Sequence, residues 1–169
     1  MYILQILLQW EIFIFIVHYM SHLPYVWNIS DITLENKAFR KVLYTGEQLQ
    51  IVAMCLKPGE DTWHDMHEKQ DVLIRVEQWT AIVDMDGFDY TLTHNMVLVV
   101  PVWSKHSTRN PSKTDMLYIH ELYCLPHHTD YKIHVTKEDS EKEKPKPKVV
   151  VKKNIAKGTT SNTISMTKK

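Results

Sequence analysis

Residues 57–77 read KPGEDTWHDMHEKQDVLIRVE, and the reading of the whole chain turns on them. The stretch opens on a Pro-Gly turn, sets Asp65 and His67 two residues apart, and closes on the apolar run Val72-Leu73-Ile74. In an extended strand, residues i and i+2 share a face. Asp65 and His67 are therefore expected to project together, with Met66 and His64 turned away. A carboxylate and an imidazole on one strand face make half of a metal site. In the strand that follows, alternation sends Val72, Ile74 and Val76 inward and Leu73, Arg75 and Glu77 outward. A later strand stops at Pro101, and His106 follows it as the candidate partner for the pair.

Working outward, the chain is written in short β runs at residues 41–44, 49–56, 72–77, 79–85, 88–92, 96–100, 105–109 and 116–125. Asp86-Gly87 between two of them is a strong hairpin signal. Thr45-Gly46 and Asn110-Pro111 read as further turns. No stretch between 47 and 125 has a helical period. Short strands punctuated about every ten residues predict an all-β sandwich or barrel. Before them, Asp31 is expected to cap a short turn.

The flanks differ from this body. Residues 1–20 are strongly apolar, carry no Lys or Arg, and are interrupted by Gln5, Gln9 and Glu11. They lack the basic start and small-residue cleavage site of a secretory signal. A spanning helix needs about 20 apolar residues, and a central Glu11 would cost ~2–3 kcal/mol on insertion. The segment reads as an extension outside the fold or as chain preceding a start at Met20, with a membrane helix and a helix packed on the domain as the alternatives. A cytoplasmic protein is expected, and any membrane contact would run only through residues 1–20. Residues 139–169 are rich in Lys, Pro, Ser and Thr, hold no aromatic residue, and are expected to be disordered. Residues 141–169 carry nine Lys against two Glu, so the neutral total hides an acidic body and a basic tail. With no aromatics to stack on bases, the tail does not favour nucleic acid. Cys55 and Cys124 lack CxxC spacing and read as buried free thiols, with a disulfide left open.

With the strands in place, residues 28–138 resemble the small single-domain cupins, including those described as mannose-6-phosphate-isomerase-like. The opening NISDITLENKAFRKVLYTGEQLQ is similar to the family's entry segment. Gly59, Asp65 and His67 match its first motif, and Pro101, His106 and Asn110 its second. The ending, from Pro126-His127-His128-Thr129-Asp130 to His134, Thr136 and Asp139, is the most specific part. The resemblance implies a double-stranded β-helix, the jelly-roll barrel, and a homodimer paired through its sheets. It departs where the family has turn glycines, for Trp79, Asn95 and Trp103 stand there. Asn95 tolerates a left-handed turn, whereas the two tryptophans imply rebuilt turns or bulky groups at the barrel mouth. It also departs at a further metal ligand, whose place is taken by Val72. Asp71, one residue away, would serve only through a bulge.

Asp65, His67 and His106 then form a two-His, one-carboxylate set suited to Fe, Mn, Ni or Zn. The resemblance implies a small polar, sugar-like ligand and isomerase- or dioxygenase-like chemistry. The alternative is a degenerate, metal-free cupin serving as a binding or interaction module. His127 and His128 read as packing or capping residues of the last crossover. Of His120 and Glu121, on opposite strand faces, one is expected to enter the barrel as a general acid or base. There is no P-loop, no GxGxxG and no Ser-His-Asp order.

Overall fold

Nine strands and two short helices account for residues 25–142, the part of the chain that the computed structural model describes. Residues 1–20 and most of 139–169 lie outside the described residues. Among those described, no helix is long and apolar enough to cross a membrane.

Helix α1 (Ile29–Glu35) starts at Asn28, not at Asp31. The Asn28 Oδ1 accepts from the Ser30 and Asp31 amides at 3.1 and 3.4 Å, and Asp31 takes the first turn, where a carboxylate favours the helix dipole. The strands then follow as β1 (Arg40–Thr45), β2 (Gln50–Leu56), β3 (Val72–Gln78), β4 (Ala81–Met85), β5 (Phe88–Leu92), β6 (Val97–Val100), β7 (His106–Arg109), β8 (Leu117–Tyr123) and β9 (Ile133–His134). One sheet runs β6-β3-β8-β2-β1-β9 and the other β5-β4-β7, all antiparallel. This is the two-sheet jelly roll. The β4–β5 hairpin turns at Asp86-Gly87 as expected, and both residues take positive φ.

The core lies between the sheets. Val52, Met54, Leu56, Val72, Ile74, Val76, Val83, Leu117 and Ile119 are fully buried there. Alternation holds for β3, whose Val72, Ile74 and Val76 face inward. It misleads for Glu77, which is buried although it lies on the outer face. Helix α1 packs over that face of β2, β3 and β8 and covers it. Ser30 Oγ donates to Glu77 Oε2 at 2.6 Å, and Glu77 Oε1 stands 3.0 Å from His120 Nδ1 and 3.3 Å from Arg75 Nε. A bulge in the β3–β8 ladder between Val76 and Gln78 sits at the same place. Burial lowers the pKa of His120, against the raising effect of the Glu77 charge.

Asn95 takes the left-handed φ expected of it, at 67°, while three further expectations need correction. Trp79 and Trp103 take left-handed φ as well, both at 71°. The turns keep glycine-type backbone with tryptophan in it, so they are not rebuilt. Cys124 is exposed just past β8, while Cys55 is buried, and both thiols are free. Finally, helix α2 (Lys137–Lys142) draws residues 139–142 out of the expected disordered tail. Thr136 and Asp139 start it with a reciprocal capping box, each amide donating to the other's side chain at 3.2 Å.

Candidate metal centre at the barrel mouth

The segment that carries Asp65 and His67 is not a strand but a long loop between β2 and β3, stitched along its length. The Gly59 turn, at φ 74°, closes through Glu60 N to Lys57 O at 3.0 Å. Asp61 then bridges Arg109, and Asp65 bridges His106 with paired backbone bonds of 2.8 and 2.9 Å. The loop thus extends the three-stranded sheet beside β7. Its far end is held by Trp103 N donating to His67 O at 2.8 Å. Asp65 and His67 still converge, as the spacing predicts, while Met66 is exposed.

The third member of the cluster is His127. Donor atoms of Asp65, His67 and His127 all lie within 4.8 Å of one another. His127 comes from the segment after β8, and Gln50 positions that segment. The fully buried Gln50 Oε1 accepts from the His127 and His128 amides at 3.2 and 2.8 Å, while its Nε2 donates to His128 O and Thr45 Oγ1. The ring of Tyr123 stacks parallel to His127 at 5.5 Å between centroids. His106 stands one step back. Its ring centroid is 5.3 Å from that of His67, and its Nδ1 lies 3.2 Å from Ser104 O.

The electrostatics favour a neutral His67. Burial, reinforced by the neighbouring His127, lowers the His67 pKa to about 4, against the raising effect of Asp65. Burial and the positive charge of Arg40 push His128 down to about 2. A neutral imidazole presents a lone pair without first losing a proton, which metal ligation requires. Two imidazoles and one carboxylate are also a fitting donor set for a first-row divalent cation. Val72, at the place of the family's further ligand, is fully buried and apolar. Asp71 cannot replace it, because its Oδ1 accepts from Val102 N at 2.8 Å and pins the loop after β6.

Below the cluster, Glu121 and Tyr123 project into the barrel, so of the pair His120 and Glu121 it is Glu121 that enters. Tyr123 Oη donates to Glu121 Oε2 at 2.6 Å, and burial raises the tyrosine pKa well above its usual value. His64 is half-exposed and lies 3.5 Å from Asp84, on the outer side of the smaller sheet.

No family model matches the chain. An uncharacterised protein of Acanthamoeba polyphaga mimivirus is 35% identical over 120 residues, which cover 69% of this chain and 74% of that protein. A Bacillus halodurans protein of solved structure shares 30% identity at a TM-score of 0.69, over 72% of this chain and 96% of its own. A cupin superfamily protein from Desulfitobacterium hafniense has the same fold at 19% identity and a TM-score of 0.51, over 62% and 95% of the two chains. The chain belongs to one family with the mimivirus and Bacillus halodurans proteins, and its fold is the cupin jelly roll.

Proposed function

We propose that the chain is a metal-binding cupin, with Asp65, His67 and His127 holding one Fe, Mn, Ni or Zn ion. The observation that carries this reading is the convergence of three donors of the right chemistry within 4.8 Å. His106 adjoins the site, with its ring 5.3 Å from that of His67. The ion would supply Lewis acidity to a small polar, sugar-like metabolite bound in the barrel, or organise dioxygen. Isomerase- and dioxygenase-like reactions are both within reach of that donor set. Two copies are proposed to pair through their sheets, which the exposed Val97 and Val99 of edge strand β6 favour; sedimentation at the mass of a single chain would reject the dimer. A cytoplasmic location completes the proposal.

Metal analysis of the purified chain is the decisive measurement. One equivalent of metal per chain, lost in Asp65→Ala and His127→Ala, is the expected result. The buried Val72 favours a second reading, a metal-free cupin used as a binding module. A parent chain free of metal after incubation with each of the four ions would decide for it.

A further inference from the structure

Arg40 begins β1 opposite Met54 of β2 and His134 of β9, on the face that looks into the barrel. It is 9% exposed, and its Nε is buried with no hydrogen-bond partner. Among the described residues no carboxylate pairs with the guanidinium, whose Cζ lies 5.7 Å from the Phe39 ring centroid. A buried cation without a partner is costly, and native folds keep one mainly where something else completes it. The register puts it on the same inner face as Tyr123, whose ring lies 5.4 Å from that of His67, and its positive charge acts to lower the pKa of His67, Tyr123 and His128. The His128 Nε2 is also buried without a partner.

We propose that Arg40 is the anchor for the carboxylate of a small anionic substrate, a monocarboxylate carrying a hydroxyl or carbonyl that reaches the Asp65–His67–His127 centre. The planar fork of guanidinium matches a carboxylate bidentately. Formal charge selects a monoanion. A divalent cation and Arg40, set against Asp65 and Glu121, leave one positive charge over; a phosphate dianion would overshoot it. This inference rests on the metal reading for the orientation of the substrate, though not for the anchor itself.

The test is titration of the full chain, both Mn(II)-loaded and stripped with chelator, with glycolate, inorganic phosphate and uncharged ethylene glycol. Ligand NMR and thermal shift give the readout. Glycolate is expected to bind saturably and ethylene glycol not to bind. Arg40→Met is expected to weaken glycolate on the order of 30-fold or more. It should also raise the ligand-free Tm by about 3–6 °C, because it removes an unpaired buried charge. A purely structural arginine would lower the Tm instead, and that outcome overturns the proposal. So does equal binding of glycolate and ethylene glycol, tighter binding of phosphate, or unchanged affinity in Arg40→Met. Should Arg40→Met not fold, Arg40→Lys decides: weakened glycolate at unchanged Tm supports the anchor, and unchanged affinity rejects it. Glycolate bound through Arg40 in a chain that takes no metal would overturn the metal reading alone. One metal per chain with no preference for glycolate would overturn the anchor alone.

Discussion

Two polar clusters lie on opposite faces of the larger sheet. The outer one, Ser30, Arg75, Glu77 and His120, is closed by helix α1, and each charge has an opposite charge or a donor within 3.3 Å. The inner one, Arg40, Asp65, His67, His127 and His128, leaves an unpartnered guanidinium Nε, an unpartnered imidazole Nε2, and three donors facing a common point. Both clusters bear the cost of taking polar groups out of water. Only the outer one recovers it within the chain. The difference separates polar residues that hold a fold together from the residues of the proposed site.

The largest expected effect is the loss of metal. His67→Ala removes a ligand that touches both neighbours, and its metal affinity should fall by at least ~100-fold, more than loss of an outer-shell partner costs. Glu77→Gln, on the opposite face of the sheet, should leave the metal content unchanged. Equal metal loss in both variants would erase the distinction between the clusters.

Acid should come next. In the metal-free chain the His67 pKa is about 4 folded, against ~6.5 unfolded. Below pH ~6.5 the unfolded chain binds the proton first, so stability is full above that pH and declines toward pH 4. The slope is about 1.4 kcal/mol per pH unit at most, and the loss is about 2–4 kcal/mol by pH 4. Denaturation midpoints from pH 7.5 to 4 measure it. Loading the metal should steepen the loss, because protons displace the ion. A flat profile would show that His67 takes up its proton over the same pH range folded as unfolded.

Much of this fold was legible. Period-2 runs, the Asp86-Gly87 hairpin and Pro101 located the strands, because sheet alternation and turn chemistry are local. What was not legible depended on partners distant in sequence. Glu77 read as a surface residue, since nothing near it in the chain announces that α1 covers it. The convergence of Asp65 and His67 was readable from their spacing. The entry of His127 was not, because Gln50, 77 residues away, sets its backbone. The only available signal was a glutamine in an otherwise apolar strand, where a buried amide must find partners.

Ser30→Ala tests the closed cluster. It strips the 2.6 Å donor from a buried carboxylate, and should cost about 2 kcal/mol in urea unfolding with metal content intact. Set beside Arg40→Met, which is expected to stabilise, the two substitutions should move stability in opposite directions. A shared sign would mean that neither cluster is built as described.

The smallest effects belong to the tryptophans that stand in left-handed backbone, one beside each cluster. Trp79 follows β3 on the closed side, and Trp103 holds the His67 carbonyl on the open side. Both are half-exposed, so their rings gain little from burial. A non-glycine residue in this region is strained by about 1–2 kcal/mol, and glycine returns roughly 0.5–1 kcal/mol of that as chain entropy. Trp79→Gly and Trp103→Gly should each gain about 0–1 kcal/mol, measured by denaturant midpoint. Trp63, at φ 65°, should behave differently, because the Lys137 ammonium lies 3.5 Å from its ring centroid. That contact opposes the strain, and Trp63→Gly should destabilise. If Trp103→Gly instead loses stability while Trp79→Gly gains it, the Trp103 ring itself shields the open cluster, and its strain is retained for the site.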